Sequence, residues 1–290
     1  MKKKIERTKA KKPGRATQTR KTRKPRKAKK RHPIKTFVAS ALVVIAVGYI
    51  TTAAYLYLNQ RKFLYFPQPG VLATGEQQIE IRNGDITLRG WVVNPGSSNA
   101  IIYFGGNGER PESSIVDFKD LFSSHTIYLI NYRGYGESDG SPTETGLYDD
   151  AMAIYDHIAP AHNHIIVIGR SLGTGVATYL ATERDIHRLV LVEPYDCLMN
   201  IAQATYPIFP MQLMMKDKYN SAERVSQIAA PTLIIKAEND QIIPGSSTDN
   251  LIAQFNRDIL ETATIPEATH NNIQDYTQYY MLLRDFISTE

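Results

Sequence analysis

Five runs along this chain, IIYF (101–104), IYLI (127–130), IIVIG (165–169), LVLV (189–192) and TLIIKA (232–237), stay apolar on consecutive residues instead of alternating. A strand reads this way when both of its faces are buried, which is the condition of a parallel sheet covered by helices on two sides. Two earlier runs, 78–82 and 86–93, alternate in hydropathy and are expected to form an antiparallel start. With 100–104, 126–131, 164–169, 188–192, 232–237 and 259–265 they make eight strand-like runs. Helical spacing fits 143–158, 172–184, 246–255 and 272–287. The pattern predicts an α/β domain with a mostly parallel eight-stranded sheet and helices on both faces. In such sheets chemistry gathers at the carboxyl ends of the strands.

At one of those ends the chain reads Gly169-Arg170-Ser171-Leu172-Gly173, followed by the small-residue helix TGVATYLATER. This is G-x-S-x-G between strand and helix: the serine sits on a tight turn, and the flanking glycines let sheet and helix approach without a Cβ clash. The plainer alternative is a serine N-cap. A serine hydroxyl attacks a carbonyl only with a general base beside it and a third group orienting that base. Asp240, in the loop END after TLIIKA, and His270, in EATHNN after the last strand, supply both in the order Ser…Asp…His.

Of the seven histidines, His270 is the one in a loop between a late strand and the final helix. His157 falls in a predicted helix, and His125, His162, His164 and His187 abut strand starts, at the opposite end of the sheet. His162-x-His164 has metal-pair spacing but no further ligand cluster, so a polar loop is the favoured reading. Glu193 and Asp196, after LVLV, are the rivals of Asp240 for the acid. A tetrahedral oxyanion needs preorganised N–H donors, for which the backbone N–H groups of Leu172 and of Asn107, in the turn Gly105-Gly106-Asn107-Gly108, are the candidates. Arg133, in the loop NYRGYGESDG after the next strand, is read as a structural anchor.

At this point the sequence resembles the α/β-hydrolase superfamily over roughly residues 75–288, and within it the membrane-anchored abhydrolase-domain branch related to serine aminopeptidase-like hydrolases. The resemblance rests on FGGNG, NYRGYGESDGSPTETGLYDDA, GRSLG, YPIFPMQLMMKDKYNS before PTLIIKAENDQIIP, and EATHNN. It implies the α/β-hydrolase fold, a serine hydrolase with Ser171, Asp240 and His270 as its triad, and no metal or organic cofactor. One departure stands out. The family usually carries His-Gly-Asn at the oxyanion loop, and Gly105-Gly106-Asn107 keeps the backbone donor while removing a supporting histidine.

The amino-terminal part is different material. Residues 1–35 hold 18 of the 34 Lys+Arg residues and one acid, Glu6, so the remainder carries 16 basic against 28 acidic residues and is acidic as a whole. The basic pI is thus the property of a tail, and specific nucleic-acid binding by the domain is not expected. The tail is expected to be disordered, since it has almost no apolar side chains to bury. Residues 36–58 then run 23 positions without a charge, roughly 34 Å as a helix, enough to cross a hydrocarbon core of about 30 Å. A cleaved signal peptide is the rival, but the run exceeds the usual apolar region of one. The basic excess before the span predicts a cytoplasmic amino terminus and an extracytoplasmic catalytic domain, periplasmic in a bacterium. Contact of the tail with anionic lipid is a further expectation. Tyr55, Tyr57, Phe63, Tyr65 and Phe66 fall where an interfacial aromatic belt is expected. The organisation expected is a tail over 1–35, a signal anchor over 36–58, a linker over 59–75 and a hydrolase domain over 76–290.

The triad chemistry serves esters, lipid esters, thioesters and peptides alike. Tethering beside a bilayer favours a carboxylester or lipid ester. A peptidase or amidase of the same fold, and an inactive membrane-tethered binding protein, are the alternatives. The segment 199–221, rich in Met, Tyr, Phe and Pro, reads equally as a small lid lining an acyl pocket and as a plain core helix.

Overall fold

Period-two alternation inside the apolar runs divides the domain into two cores. In the computed structural model, which describes residues 33–70 and 75–288, Ile101 and Tyr103, Ile166 and Ile168, and Val190 and Val192 face one side of the sheet. Their neighbours Ala100, Ile102, Phe104, Ile165, Val167, Leu189 and Leu191 face the other. Every one of these side chains is at least 95% buried, and burying them is the main term stabilising the sheet.

The strands are β1 (Gln77–Asn83), β2 (Ile86–Val93), β3 (Asn99–Phe104), β4 (Thr126–Ile130), β5 (His164–Arg170), β6 (Arg188–Val192), β7 (Thr232–Ala237) and β8 (Leu260–Ile265), ordered β1-β2-β4-β3-β5-β6-β7-β8. β1 and β2 pair antiparallel, β2 meets β4 antiparallel, and all pairings from β4 to β8 are parallel. The eight-stranded, mostly parallel sheet expected from the sequence is present.

The helices are α1 (Pro33–Leu64), α2 (Ile115–Leu121), α3 (Glu144–Ile158), α4 (Leu172–Glu183), α5 (Leu198–Thr205), α6 (Met211–Met214), α7 (Gly245–Ile252) and α8 (Thr277–Ser288). Phe118 of α2 and Tyr279, Leu283 and Phe286 of α8 cover one face of the sheet. Leu147 and Ile154 of α3, Val176 and Leu180 of α4 and Leu251 of α7 cover the other. Thr143 caps α3 by accepting a hydrogen bond from the Gly146 N–H at 2.9 Å, so a helix with a polar outer face starts at a defined residue. Sequence reading missed the short α2, and the segment 199–221, read as a lid or a plain core helix, holds two short helices, of which α5 has no buried residue. Sequence reading also began the last helix early, because a 3-10 turn at Ile273–Asp275 and a break at Tyr276 precede α8.

The chain divides into two compact units, Met1–Ile50 and Thr51–Glu290. The described part of the first is the amino-terminal portion of α1, apolar and exposed, and α1 is long and apolar enough to cross a membrane. The basic stretch 1–32 lies outside the described residues. In the second unit the helix continues to Leu64 where the sequence suggests the start of a linker, and it is held there by Arg61 paired with Asp217 at 2.8 Å. Tyr65, expected in an interfacial belt, is instead 3% exposed, its hydroxyl 2.8 Å from that of Tyr219. The correction has a simple cause: an aromatic run after an apolar helix reads alike whether its rings meet headgroups or a protein core.

Candidate active site

Strand register brings the site together. Phe104 pairs with Gly169 and Arg170 with Val192, so the residues that follow, Gly105, Ser171 and Glu193, leave the sheet together at the carboxyl ends of their strands. Ala237 pairs with Ile265 at the same end, and the loops after β7 and β8 carry Asp240 and His270.

Ser171 has φ 49° and ψ −118°, a conformation that costs a non-glycine residue of order 1–3 kcal/mol and is kept where surrounding structure imposes it. The imposition is visible in its neighbours. A Cβ on Gly173 would lie 2.0 Å from the Phe104 carbonyl oxygen, and one on Gly169 would lie 2.5 Å from the Gly173 carbonyl oxygen. Both glycines of the pentapeptide are therefore required by the closeness of α4 to the sheet. The turn is further held by the Ser171 N–H donating to the Val192 carbonyl at 2.9 Å.

The Ser171 Oγ lies 2.9 Å from His270 Nε2, and His270 Nδ1 lies 2.8 Å from Asp240 Oδ2. The other Asp240 oxygen accepts the N–H groups of Ile242 and Ile243, each at 2.8 Å. Burial pushes the Asp240 carboxyl up, but the His270 hydrogen bond and these two backbone donors outweigh it and hold the carboxyl below its ordinary value. The three residues the sequence singled out thus form one hydrogen-bonded line.

The rival acids separate cleanly. Asp196 is occupied elsewhere, accepting from the Ser247 hydroxyl, the Cys197 N–H and the Asn200 amide. Glu193 is close, with Oε2 3.5 Å from His270 Nδ1 and 3.7 Å from Arg170 Nε. Burial drives its carboxyl up from 4.5 to about 8, against the pull of Arg170 and reinforced by Asp240 and Glu109. Glu193, Asp240 and His270 are also the described residues whose donor atoms cluster within 4.8 Å, as metal ligands would. The His270 nitrogen facing both carboxylates is Nδ1, so a cation there would compete with the bond that orients the imidazole. The His162-x-His164 pair is not a metal site in shape. His162 bonds the Ser97 carbonyl and the Tyr128 hydroxyl, and His164 stacks on His187.

Leu172 and Asn107 line the same cavity as Ser171, about 460 Å³ in volume. Neither backbone N–H has a protein acceptor among the described residues. The Asn107 carbonyl accepts from Phe66 N–H and the Tyr135 hydroxyl, and the Gly105 carbonyl from the Tyr132 hydroxyl, which fixes the loop's peptide planes. Two residues the sequence reading did not single out complete the frame. Glu109 accepts from the Gly106 N–H at 2.8 Å and from Arg170 Nη1 at 3.0 Å, while Arg170 Nη2 donates to the His270 carbonyl at 2.7 Å. Arg170 is thereby tied to both the 105–108 loop and the loop of His270. Arg133 is the anchor expected of it, gripping Asp150 of α3 with two hydrogen bonds of 2.7 Å.

Residues 107–226 match the α/β hydrolase family. An uncharacterized protein of Mycobacterium tuberculosis is 30% identical over 231 residues, spanning 74% of this chain and 81% of that one. The protein bem46 of Schizosaccharomyces pombe is 25% identical over 277 residues, 86% of this chain and 90% of its own. Among solved structures, the esterase Pf2001 of Pyrococcus furiosus superposes with a TM-score of 0.62 at 19% identity, covering 77% of this chain and 98% of that one.

Proposed function

Since this chain belongs to the α/β-hydrolase family, we propose that it is a serine hydrolase that cleaves a carboxylic ester, with lipid esters as its natural substrates, through an acyl-enzyme on Ser171. The observation that carries this reading is the unbroken line from the Ser171 hydroxyl through His270 to Asp240 at 2.9 and 2.8 Å. In the first half-reaction His270 Nε2 takes the hydroxyl proton as Oγ bonds to the substrate carbonyl carbon. Asp240 holds the imidazole in the required tautomer and stabilises the imidazolium. The N–H groups of Leu172 and Asn107 receive the oxyanion, and His270 returns the proton to the departing alcohol as the C–O bond breaks. Water, activated by the same histidine, then releases the acid and regenerates the hydroxyl.

An ester is favoured over an amide by the esterase among the proteins of like fold, and a lipid ester by the apolar helix α1, which we read as a membrane anchor. The test is turnover of p-nitrophenyl acetate and butyrate by the full chain. Wild type should hydrolyse both, Ser171→Ala neither, and Asp240→Asn should lose about 10³–10⁴ in kcat. Turnover retained by Ser171→Ala overturns the reading.

A further inference from the structure

The cavity at Ser171 does not end at the catalytic groups. A second cavity of about 180 Å³ adjoins it, and Leu64, Leu198 and Ile201 line both. Its outer walls come from two sources: Leu56 and Phe63 of α1 on one side, and Ala202, Met211 and Met214 of the α5–α6 region on the other. The lining is apolar for a specific reason. Gln60 also faces this space, but its amide is consumed, donating to the Met214 carbonyl at 3.1 Å and accepting from the Lys216 N–H at 2.7 Å.

These contacts hold the two walls at a fixed separation. Arg61 pairs with the nearly buried Asp217, and the Lys216 ammonium lies 4.5 Å from the centre of the Tyr57 ring. The groove is thus built by the structure, with α1 as one side and the α5–α6 segment as the other. In the same α5–α6 segment Ile208 and Leu213 are 70% and 82% exposed, an unusual position for large apolar side chains. Three methionines, Met211, Met214 and Met215, line the groove and adapt to a flexible chain better than branched side chains do.

We infer that this groove is an acyl-chain channel, and that the substrates are esters of long, straight aliphatic acids whose carbonyl stands at Ser171 while the chain lies between α1 and α5–α6. The inference rests on Ser171 being the nucleophile. It narrows the substrate class from esters in general to those carrying one extended chain, and gives the last turns of α1 a role in binding as well as in tethering.

The experiment is a chain-length series. The full chain, in phosphatidylcholine nanodiscs, is assayed with p-nitrophenyl esters of two, four, eight and twelve carbons, each below its aggregation limit. In wild type kcat/KM should rise by up to about fourfold per methylene once the chain enters the groove. Ala202→Trp and, as a second plug in the lining, Met214→Trp should each lower the twelve-carbon to two-carbon ratio of kcat/KM at least tenfold. A flat or falling wild-type series, or a ratio unmoved in a variant that still turns over acetate, overturns the channel and leaves the hydrolase reading standing. Absence of any ester turnover in wild type overturns the hydrolase reading, and the channel falls with it.

Discussion

Glu109 occupies the space beside Gly105: a Cβ on that glycine would lie 3.2 Å from the Glu109 carboxyl carbon. Where the resemblance leads one to expect a histidine in the oxyanion loop, this chain has a bare backbone and a carboxylate reaching back from four residues on. That carboxylate accepts the Gly106 N–H and meets Arg170, which in turn holds the His270 carbonyl. Where the resemblance implies a histidine, a largely buried ion pair stands instead, and it also braces the loop of His270. Breaking one partner of such a pair is costly because the other charge is left buried.

The first prediction follows from that replacement. Glu109→Ala should lower kcat by about tenfold or more with little change in KM, since it loosens N–H donors that act on the transition state. Gly105→His alone should also lose activity, because the imidazole and the Glu109 carboxyl compete for one space. Combined with Glu109→Ala, the histidine has room, and the double variant should exceed either single one. Kinetics of the four proteins measure the coupling, and strict additivity would show that the two positions do not share a role.

Glu193 gives a pH dependence. Its carboxyl is raised from 4.5 to about 8 in the fold, first by burial, then by Asp240 and Glu109, against the opposing Arg170. A raised folded value means that the neutral form is favoured in the native state. The stability it brings is complete below about pH 4.5 and is lost as pH rises through about 8, at no more than about 1.4 kcal/mol per pH unit. Denaturant midpoints of wild type should therefore fall between pH 5 and 9 relative to those of Glu193→Gln, which keeps the shape and cannot ionise. Parallel profiles for the two proteins would show that Glu193 ionises no higher in the fold than in the unfolded chain.

Much of this was legible because the decisive signals are local. Continuous apolar runs announced strands buried on two faces, and G-x-S-x-G between a strand and a helix announced the elbow that φ 49° at Ser171 now describes. Asp240 and His270 could be picked out by position, each in a loop at the carboxyl end of a late strand. What stayed hidden depends on distance in sequence. Arg170 and Glu109 are 61 residues apart, and nothing in either neighbourhood marks them as partners. Tyr65 was misplaced because composition cannot distinguish a ring at a membrane interface from one packed against Tyr219.

Topology is the third prediction. With 18 basic residues before the apolar run, the anchor is expected to keep the amino terminus in the cytoplasm and the hydrolase domain outside it. Protease added to intact spheroplasts should cleave the domain or release it by cutting between residues 65 and 75. Cleavage that appears only after permeabilisation would reverse the orientation.

The central claim, that Ser171 becomes acylated with His270 as its base, is tested most directly by the site of covalent capture. The full chain is treated with a fluorophosphonate probe and the adduct is located by peptide mass spectrometry. One adduct on the peptide holding Gly169-Arg170-Ser171-Leu172-Gly173 is predicted, absent in Ser171→Ala and formed orders of magnitude more slowly in His270→Ala. An adduct on another residue, or labelling of Ser171→Ala at the wild-type rate, would contradict the account.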